Sequence, residues 1–451
     1  MSFVDDPLTT VTQDNIDIAL RIGPASSFER RSVDGGADRP VLAPTSSARS
    51  YHIIDAEVEL TKNTEANFME ATIVGDDTDK RPSEGDPLNE YVDPEVVTLD
   101  VYNQLTEAER DSNNISRVFT GQVANAARMG DHSFKMTAFW PGHNIIKNKK
   151  VLLVPPPVLF AGLENVDYNP RRNKISTFAE LTGNRITRGT PFEPVINMST
   201  DGIVVGERPD GTEIRYGYDG EITLTTWKKE VNSVLETLAR GSLSEWDVDR
   251  YGDFYFGAAR PRAHKLRYIT DTSAGKQSPP WRSVQVIGDG IVSQDGWNAS
   301  AQINEEPEVV RGNLGGSGFD ADLAEPTFVY RNMEIQTRDE AMHVLNKIRE
   351  EIREQAGGGH VEVVGHPEVW PGDAIELPDA RDQPLGLDRF LVKKVIHRLN
   401  SKNGFMTRIE CGGVTNAADT VFVSDVDELK DSQEYDSDIG FDTPEFGEDA
   451  L

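Results

Sequence analysis

Histidines are the residues of this sequence whose type and spacing come closest to forming a chemical site. His360 and His366 flank one predicted strand, and His397 lies in another strand of the same predicted sheet. A zinc site takes three or four ligands at close spacing, and no H-E-x-x-H or C-x-x-C motif occurs. We interpret His397 as out of phase with Val395, which predicts that it faces solvent or a partner. We therefore predict no metal site.

Nucleophilic and phosphate-binding motifs are also missing from the sequence. No G-x-S-x-G elbow occurs, and Cys411, the only cysteine, lies in a predicted strand without a histidine that it could serve. The GGSG at residues 315–318 follows no strand and predicts a flexible linker. The segment DVDRYGDFYF lacks the spacing of a calcium loop and predicts a structural hairpin. We expect no catalytic residue, no cofactor and no enzymatic activity.

Two weaker signals concern charge and glycosylation. Three lysines, Lys147, Lys149 and Lys150, form the only dense basic cluster, but no Gly-rich loop accompanies them, so we interpret this region as a connector. Three sequons could accept a glycan in an archaeal or extracellular setting: Asn114, Asn197 and Asn298.

The stretch GHPEVWPGDAIEL, residues 365–377, predicts a corner that feeds a strand. Pro367 and Pro371 fix φ and remove donors at a strand edge, Gly372 permits a sharp turn, and Asp373 can accept backbone N–H groups. We interpret Trp370 as a packing residue rather than a ligand platform.

Composition limits the possible partners. The 451 residues carry a formal net charge of −30, with 76 acidic against 46 basic residues. Such a chain repels nucleic-acid backbones. Because the acidity is spread along the whole chain and lysine is scarce, we favour a halophilic source over a local cation-binding role. No apolar run long enough for a membrane span occurs, and the first residues do not resemble a secretory signal.

The elements predict a mainly β protein with an α+β insert. Residues 1–48 predict an N-terminal arm, because FERRSVDGGADRPVLAPTSSARS mixes Gly, Pro, Ser and charges without a period. Residues 49–160 contain five short alternating strands, including YHIIDAEVEL with Ile54, Ala56, Val58 and Leu60 on one face, which predicts a small antiparallel barrel. Residues 161–325 read as an α+β domain with helices in ISTFAELTG and in TTWKKEVNSVLETLARG.

The C-terminal part predicts a second barrel. Residues 326–416 begin with the helix TRDEAMHVLNKIREEIREQ, after which come the strands HVEVVG, DAIEL, RFLVKKVIHRL and GFMTRIECGG. Residues 417–451 form an acidic tail. RVFTGQV and FKMTA in the first barrel are echoed by RFLVKKV and FMTRIEC in the second. The echo predicts two small barrels of similar build linked by the α+β domain, although alternating strands often look alike.

Several motifs together resemble the baseplate and tail hub proteins of long-tailed phages and contractile injection systems, the family of late control protein D. The motifs are collinear with that family over most of residues 50–415: FTGQV, LETLARG, SEWDVDRYGDFYFG, Gly365, Pro371-Gly372-Asp373, Val392 to His397, and Gly404-Phe405 with Thr407 and Ile409. The N-terminal arm and the acidic tail depart from the family pattern.

The resemblance implies a structural role at the tip of a virion tail. It implies a homotrimeric ring of six tube-like barrels that adapts a sixfold tail tube to a threefold tip and lines the DNA exit channel. The implied partners are the tail tube protein, the distal tail protein, the C-terminus of the tape measure, and spike or fibre proteins. DNA would pass without sequence-specific binding, and stable membrane insertion is not expected. With the acidic composition, the resemblance points to a tailed virus of a halophilic archaeon.

Other interpretations remain open from the sequence. The same fold could serve as the hub of a contractile injection system. A secreted carbohydrate-active enzyme and a cell-surface adhesion module are further alternatives from different functional classes.

Overall fold

The computed structural model describes twenty-one segments of the chain. They are residues 16–31, 40–61, 67–75, 95–103, 115–129, 133–140, 142–143, 151–153, 172–207, 213–224, 228–258, 263–266, 269–276, 280–288, 297–302, 308–311, 326–331, 338–354, 357–377, 389–400 and 404–414.

The first eight strands belong to the first barrel and to a hairpin on its surface. Their bounds are β1 Ile16–Pro24, β2 Phe28–Arg31, β3 Val41–Pro44, β4 Arg49–Thr61, β5 Phe68–Gly75, β6 Glu95–Asn103, β7 Ile115–Arg128 and β8 Ser133–Phe139. A 3-10 turn at Ala25–Ser27 precedes β2.

Six of these strands close into a barrel in the order β1-β6-β7-β8-β5-β4, and a β1–β4 pairing completes the ring. All its pairings are antiparallel. Alternation places one set of side chains inside, and Val58, Met69, Leu99 and Met136 are all fully buried there. A predicted barrel with an apolar interior is therefore confirmed.

Two predictions about this region were wrong. The sequence predicts an arm over residues 1–48, yet β1, within that range, pairs with β6 over nine residues and closes the barrel. Ile54 was placed on the buried face, yet it is 43% exposed. A register irregularity between Ile53 and Asp55 interrupts the alternation at this point, and a β-bulge of this kind moves the following side chains to the other face.

The middle of the chain contains short strands and two helices. Their bounds are β9 Val151–Leu153, β10 Arg172–Lys174, α1 Ile175–Ile186, β11 Pro194–Asn197, β12 Ile203–Glu207, β13 Glu213–Tyr216, β14 Glu221–Thr223, β15 Lys228–Glu230, α2 Val231–Ser242, β16 Glu245–Val248, β17 Phe254–Gly257, β18 Ala263–Lys265, β19 Ile269–Thr272, β20 Gly275–Lys276, β21 Ser283–Ile287, β22 Trp297–Gln302, β23 Glu308–Arg311 and β24 Thr327–Arg331.

The two predicted helices pack together with the strand pair β16–β17. Val234, Leu235 and Leu238 of α2 are fully buried, and they share a core with Phe178 of α1 and Trp246 of β16. The i, i+3, i+4 and i+7 apolar spacing thus forms the buried face, as predicted. Among the described residues, no helix is long and apolar enough to span a membrane.

The described residues of the last part of the chain form one helix and five strands. Their bounds are α3 Arg338–Glu354, β25 Gly357–Gly358, β26 His360–Val364, β27 Ala374–Glu376, β28 Arg389–Asn400 and β29 Gly404–Val414. Helix α3 packs its apolar face on β21, where Leu345 and Ile348 share a small core with Val284 and Val286.

The second group of strands has the same order as the first barrel. The spatial strand order β18-β27-β28-β29-β26-β19 repeats the order β1-β6-β7-β8-β5-β4 when the strands of each group are numbered along the chain. We call this group the second barrel. Strands β18 and β19 border it at its two ends, although within the described residues no pairing joins them as β1 joins β4. The pairings assign both strands to this group, whereas the sequence prediction placed them in the domain 161–325. One difference is that β18 runs parallel to β27, whereas β1 runs antiparallel to β6.

The two barrels form one continuous sheet because β4 pairs with β28. The antiparallel ladder joins residues 55–61 to residues 400–394. On its outward face, Lys394 lies 2.7 Å from Glu59 and Arg398 lies 2.9 Å from Glu57. These pairs are partly exposed, so the backbone ladder and the buried apolar face contribute most of the stability.

A buried ion pair lies on the outside of the first barrel, beneath the β2–β3 hairpin. The Arg117 Nε donates to Asp100, and the two side chains are 8% and 2% exposed. The Arg117 Nη1 also donates to the Leu42 carbonyl at 3.2 Å and to the Thr120 hydroxyl at 2.9 Å. The pair therefore attaches the hairpin to the barrel wall.

We expect Asp100→Asn to destabilise the protein by about 3–5 kcal/mol, because it leaves the buried Arg117 guanidinium without its counter-charge. The double variant Asp100→Leu/Arg117→Met removes both charges and should lose less. Urea unfolding midpoints measure the effect. The matched control is Glu70→Gln in the exposed Glu70–Lys135 pair, where about 1 kcal/mol or less is expected. Equal losses for the buried and the exposed variant would contradict this assignment.

Candidate functional site at the junction of the barrels

The turn at residues 249–253 is the point where the middle of the chain meets both barrels. The Asp249 carboxylate accepts the N–H groups of Tyr251 at 3.0 Å and Asp253 at 3.1 Å, and these bonds close the turn. Gly252 has φ +86°, and a Cβ there would lie 2.5 Å from the Phe192 ring. The turn is thus the connection of the β16–β17 hairpin, as the sequence predicted.

Asp253 connects this turn to the β2–β3 hairpin. Its carboxylate accepts hydrogen bonds from both terminal nitrogens of Arg30, at 2.8 and 3.1 Å, and from the backbone N–H of Glu193 at 2.9 Å. The carboxylate is 1% exposed. Because the Asp253 carboxylate is almost fully buried, this bidentate pair fixes the orientation of both side chains. Sequence reasoning missed it because the two residues are far apart in the chain.

Arg250 connects the same turn to both barrels. Its carbonyl accepts the hydroxyl of Thr120 from the first barrel at 2.8 Å. Its guanidinium donates to the Glu368 carbonyl at 2.6 Å and lies 5.4 Å from the centre of the Trp370 ring. One residue therefore contacts the wall of the first barrel and the corner of the second.

The corner, residues 365–377, has the compact turn geometry that its sequence predicted. Gly365, His366 and Gly372 have φ values of +80°, +65° and +95°. The Gly372 N–H donates to the Val392 carbonyl at 2.8 Å, and the Val392 N–H donates to the Asp373 carbonyl at 2.8 Å. The corner is thus hydrogen-bonded onto β28.

Asp373 and Trp370 hold the corner together. The Asp373 carboxylate accepts the Trp370 N–H at 2.8 Å and lies 2.9 Å from Nε2 of His264. The Trp370 ring N–H donates to Asp247 at 3.2 Å, and its ring packs against the barrel core. The predicted capping role of Asp373 and packing role of Trp370 are confirmed.

His397 is fully buried, so the prediction that it faces solvent or a partner was wrong. Residues two apart in a strand share a face, and His397 lies on the inner face with Val395 and Leu399. Its Nδ1 is 2.9 Å from the Thr407 hydroxyl, which donates to the Gly365 carbonyl. The hydroxyl therefore accepts an N–H from Nδ1.

The surroundings of His397 favour its neutral form. Its Nε2 has no hydrogen-bond partner within the described part of the chain. Burial, followed by the charges of Arg250 and His366, lowers the pKa of His397 to about 3. A protonated imidazole here would place an additional cation beside Arg250.

A serine, a histidine and an aspartate lie together at the edge of the second barrel. The Ser273 hydroxyl is 2.9 Å from Nδ1 of His360, whose Nε2 is 3.0 Å from Asp271. In a Ser-His-Asp catalytic site, the backbone N–H of the serine helps to bind the oxyanion. Here the backbone N–H of Ser273 is occupied instead, because it donates to the His360 carbonyl at 2.8 Å. The backbone N–H of His360 donates back to the Ser273 hydroxyl at 3.2 Å. The group therefore acts as a clamp across the strand pair.

The three histidines considered for a metal do not form a common site. His360 is engaged in the clamp, His397 is engaged with Thr407, and His366 is buried in the corner. In the described segments, no group of three or more His, Cys, Asp or Glu side chains is arranged to hold a metal ion. Cys411 is buried in β29, and burial raises the pKa of its thiol to about 12.

Other predicted features have mixed outcomes. The Asn197 side chain is half-buried and donates to the Tyr255 hydroxyl at 3.2 Å, so this sequon is engaged within the fold. The lysines at 147–150, the GGSG at 315–318, Asn114 and the acidic tail at 417–451 lie outside the described residues. Asn298 is in β22, and its side chain is not among the described ones.

Comparisons with known proteins give matches among solved structures alone. No protein-family model and no curated protein matches this chain. The 43 kDa tail protein of prophage MuSo2 from Shewanella oneidensis has 10% identity and a TM-score of 0.46, covering 88% of this chain and 98% of its own. A tail protein from Neisseria meningitidis MC58 has 11% identity and a TM-score of 0.46, with coverages of 88% and 96%. Prophage tail protein gp18 from Listeria monocytogenes EGD-e has 9% identity and a TM-score of 0.42, with coverages of 92% and 98%.

We expect the stability of the protein to fall as the pH drops below about 6.5, partly because of His397. Its pKa is about 3 in the folded protein and about 6.5 in an unfolded chain, so only the unfolded chain binds this proton in between. The contribution is complete above pH 6.5 and is lost toward pH 3, at up to about 1.4 kcal/mol per pH unit. Urea midpoints at several pH values measure it.

The test variant is His397→Asn, whose amide can still donate to Thr407 but does not titrate. It should show a smaller loss of stability between pH 7 and pH 4 than the wild type. His52→Asn, at an exposed position of β4, is the matched control. Parallel pH profiles for the wild type and the His397 variant would show that this group does not titrate as described.

Proposed function

We propose that this chain is a structural hub at the tail tip or baseplate of a tailed virus. It would assemble as a homotrimeric ring, adapt a sixfold tail tube to a threefold tip, and line the DNA exit channel. The observation that carries the proposal is the repeat of one strand order, β1-β6-β7-β8-β5-β4, as β18-β27-β28-β29-β26-β19 in the same chain. Three copies of such a chain present six similar barrels, which is the match that a sixfold tube requires.

The outward face of the joined sheet supports a channel-lining role. Where β4 meets β28, this face carries Glu57 and Glu59 beside Arg398 and Lys394, and Arg398 also lies 3.8 Å from Glu362 on β26. Lys394 and Arg398 are both matched by carboxylates. Such a surface offers a polyanion no free row of positive charge, so DNA would pass along it without binding.

The network of the turn and the corner supports a structural rather than enzymatic role. Arg30, Asp253, Arg250 and Asp373 all hold one chain segment against another. The proposed partners are the tail tube protein, the distal tail protein, the tape measure C-terminus, and spike or fibre proteins. The proposed location is therefore the tail tip of the virion, and the acidic composition supports a host that lives in high salt.

We expect the purified protein to have three times its chain mass of 49.9 kDa in solution. Light scattering coupled to size exclusion, from about 0.1 M to about 3 M KCl, measures this mass, because screening should favour association of so acidic a chain. A monomer under every salt condition would contradict the ring. Hydrolysis of a polysaccharide that is lost on a single Asp or Glu substitution would instead favour the enzyme alternative.

A further inference from the structure

In four of their six strands, the two barrels correspond residue by residue and not merely in strand order. Partner pairs between β5 and β8 recur between β26 and β29 at equal spacing, so that β5 corresponds to β26 and β8 to β29. The recurring pairs are Ile73–Phe134 with Val363–Thr407, Thr72–Lys135 with Glu362–Arg408, and Ala71–Met136 with Val361–Ile409.

Irregularities in the strands recur at corresponding positions as well. The register shift between Ile53 and Asp55 in the first barrel is matched by one between Ile269 and Asp271 in the second. The shift between Val123 and Asn125 is matched by one between Val392 and Lys394. The ladder pairs and these two matching positions give the same correspondence, while a further shift between Phe390 and Val392 of β28 has no counterpart in the β7–β8 ladder. Segment 269–276 thus corresponds to β4, and β7 corresponds to β28.

This correspondence predicts how one copy meets another. Within the chain, an edge of β4 pairs with an edge of β28. The edge that corresponds to β4 is the outer edge of β19–β20, whose inner edge pairs with β26 and β25. The edge that corresponds to β28 is the outer edge of β7 beyond Gln122, whose inner edge pairs with β8. Among the described residues, neither of these two outer edges has a ladder partner.

Side chains at corresponding positions of β28 and β7 differ in solvent exposure, as expected if the end of β7 lacks the strand partner that β28 has. Ile396 and His397 of β28 are covered, at 7% and 0% exposure. Their counterparts in β7, Ala127 and Arg128, are exposed, and the next residue, Met129, is 64% exposed. Small side chains at Ala127 and Gly275 allow two backbones to approach each other. An exposed methionine at a strand end is an apolar contact available for burial.

We propose that the β19–β20 edge of one copy pairs antiparallel with the end of β7 in the next copy and reproduces the β4–β28 ladder between chains. The register follows from the correspondence: Ala127 lies opposite Gly275, and Met129 lies opposite Ser273 of the neighbouring copy. The contact is heterologous, so it repeats around a ring and closes when the rotation allows. The inference rests on the proposed function for the number of copies, but it specifies the contact independently of that number.

Disulfide trapping tests this register directly. In Met129→Cys/Ser273→Cys the two cysteines face each other between chains, at the separation of directly opposed antiparallel residues, which suits a disulfide. Mild oxidation should convert most of the protein into covalent oligomers on non-reducing gels, and neither single variant should do so beyond dimers. The native thiol of Cys411 is buried with its pKa raised to about 12, so it does not compete.

The matched control is Glu57→Cys/Arg398→Cys, which places the pair at the corresponding position of the β4–β28 ladder within one chain. It should cross-link at monomer size. A trimer by light scattering whose Met129/Ser273 pair does not cross-link, while the control pair does, would overturn the proposed contact and leave the proposed function standing. A monomer at all salt concentrations would remove both.

A charge substitution provides a second readout if the double variant does not fold. Met129→Asp should raise the dissociation constant of the oligomer at least about tenfold, because it places a carboxylate in a contact that excludes water. Val329→Asp is the control, since Val329 is 46% exposed but lies on β24, outside both barrels. Equal effects of the two substitutions on assembly would contradict the proposed contact.

Discussion

The ladder between β4 and β28 is the constraint on which the rest of this structure depends. It joins two barrels through backbone hydrogen bonds whose register cannot slip by one residue without turning the apolar faces of both strands outward. The relative position of the barrels is therefore set by the same pattern that fills their interiors.

The polar network at residues 249–253 and 365–377 reinforces that arrangement from the outside. Arg250 contacts Thr120 on one barrel and Glu368 on the other, while Asp253 holds Arg30 of the surface hairpin. The insert between the barrels thus acts as a brace. Buried polar groups of this kind are costly when half-satisfied, so they favour a single arrangement over alternatives. The corner at residues 365–377, which contains His366 and Asp373, is one end of this brace.

The sequence predicted the strands well where their alternation is simple, and it predicted the corner because Pro, Gly and Asp have specific turn chemistry. It failed in several places for different reasons. The alternation of β1, with Leu20 and Ile22 on its buried face, was overlooked because the stretch that follows it has no period, whereas β18 and β19 are too short to be recognised alone. Ile54 was misplaced because a bulge is invisible to a strict period of two. His397 was misplaced through an error of phase, because residues 395 and 397 of one strand lie on the same face. The contacts of Arg30 with Asp253 could not be predicted because the two residues are far apart in the chain.

Because one barrel is repeated within the chain, the proposed ring of three chains has an approximate sixfold symmetry. Three chains, each with two corresponding barrels and two corresponding edges, can surround an axis with six nearly equivalent units while the inserts keep threefold symmetry. An electron cryomicroscopy reconstruction of the purified oligomer tests this most directly. The account predicts six barrels of two alternating kinds around a central opening, with equivalent ladders within and between chains. A reconstruction in which the barrels of one chain do not lie around a common axis would contradict it.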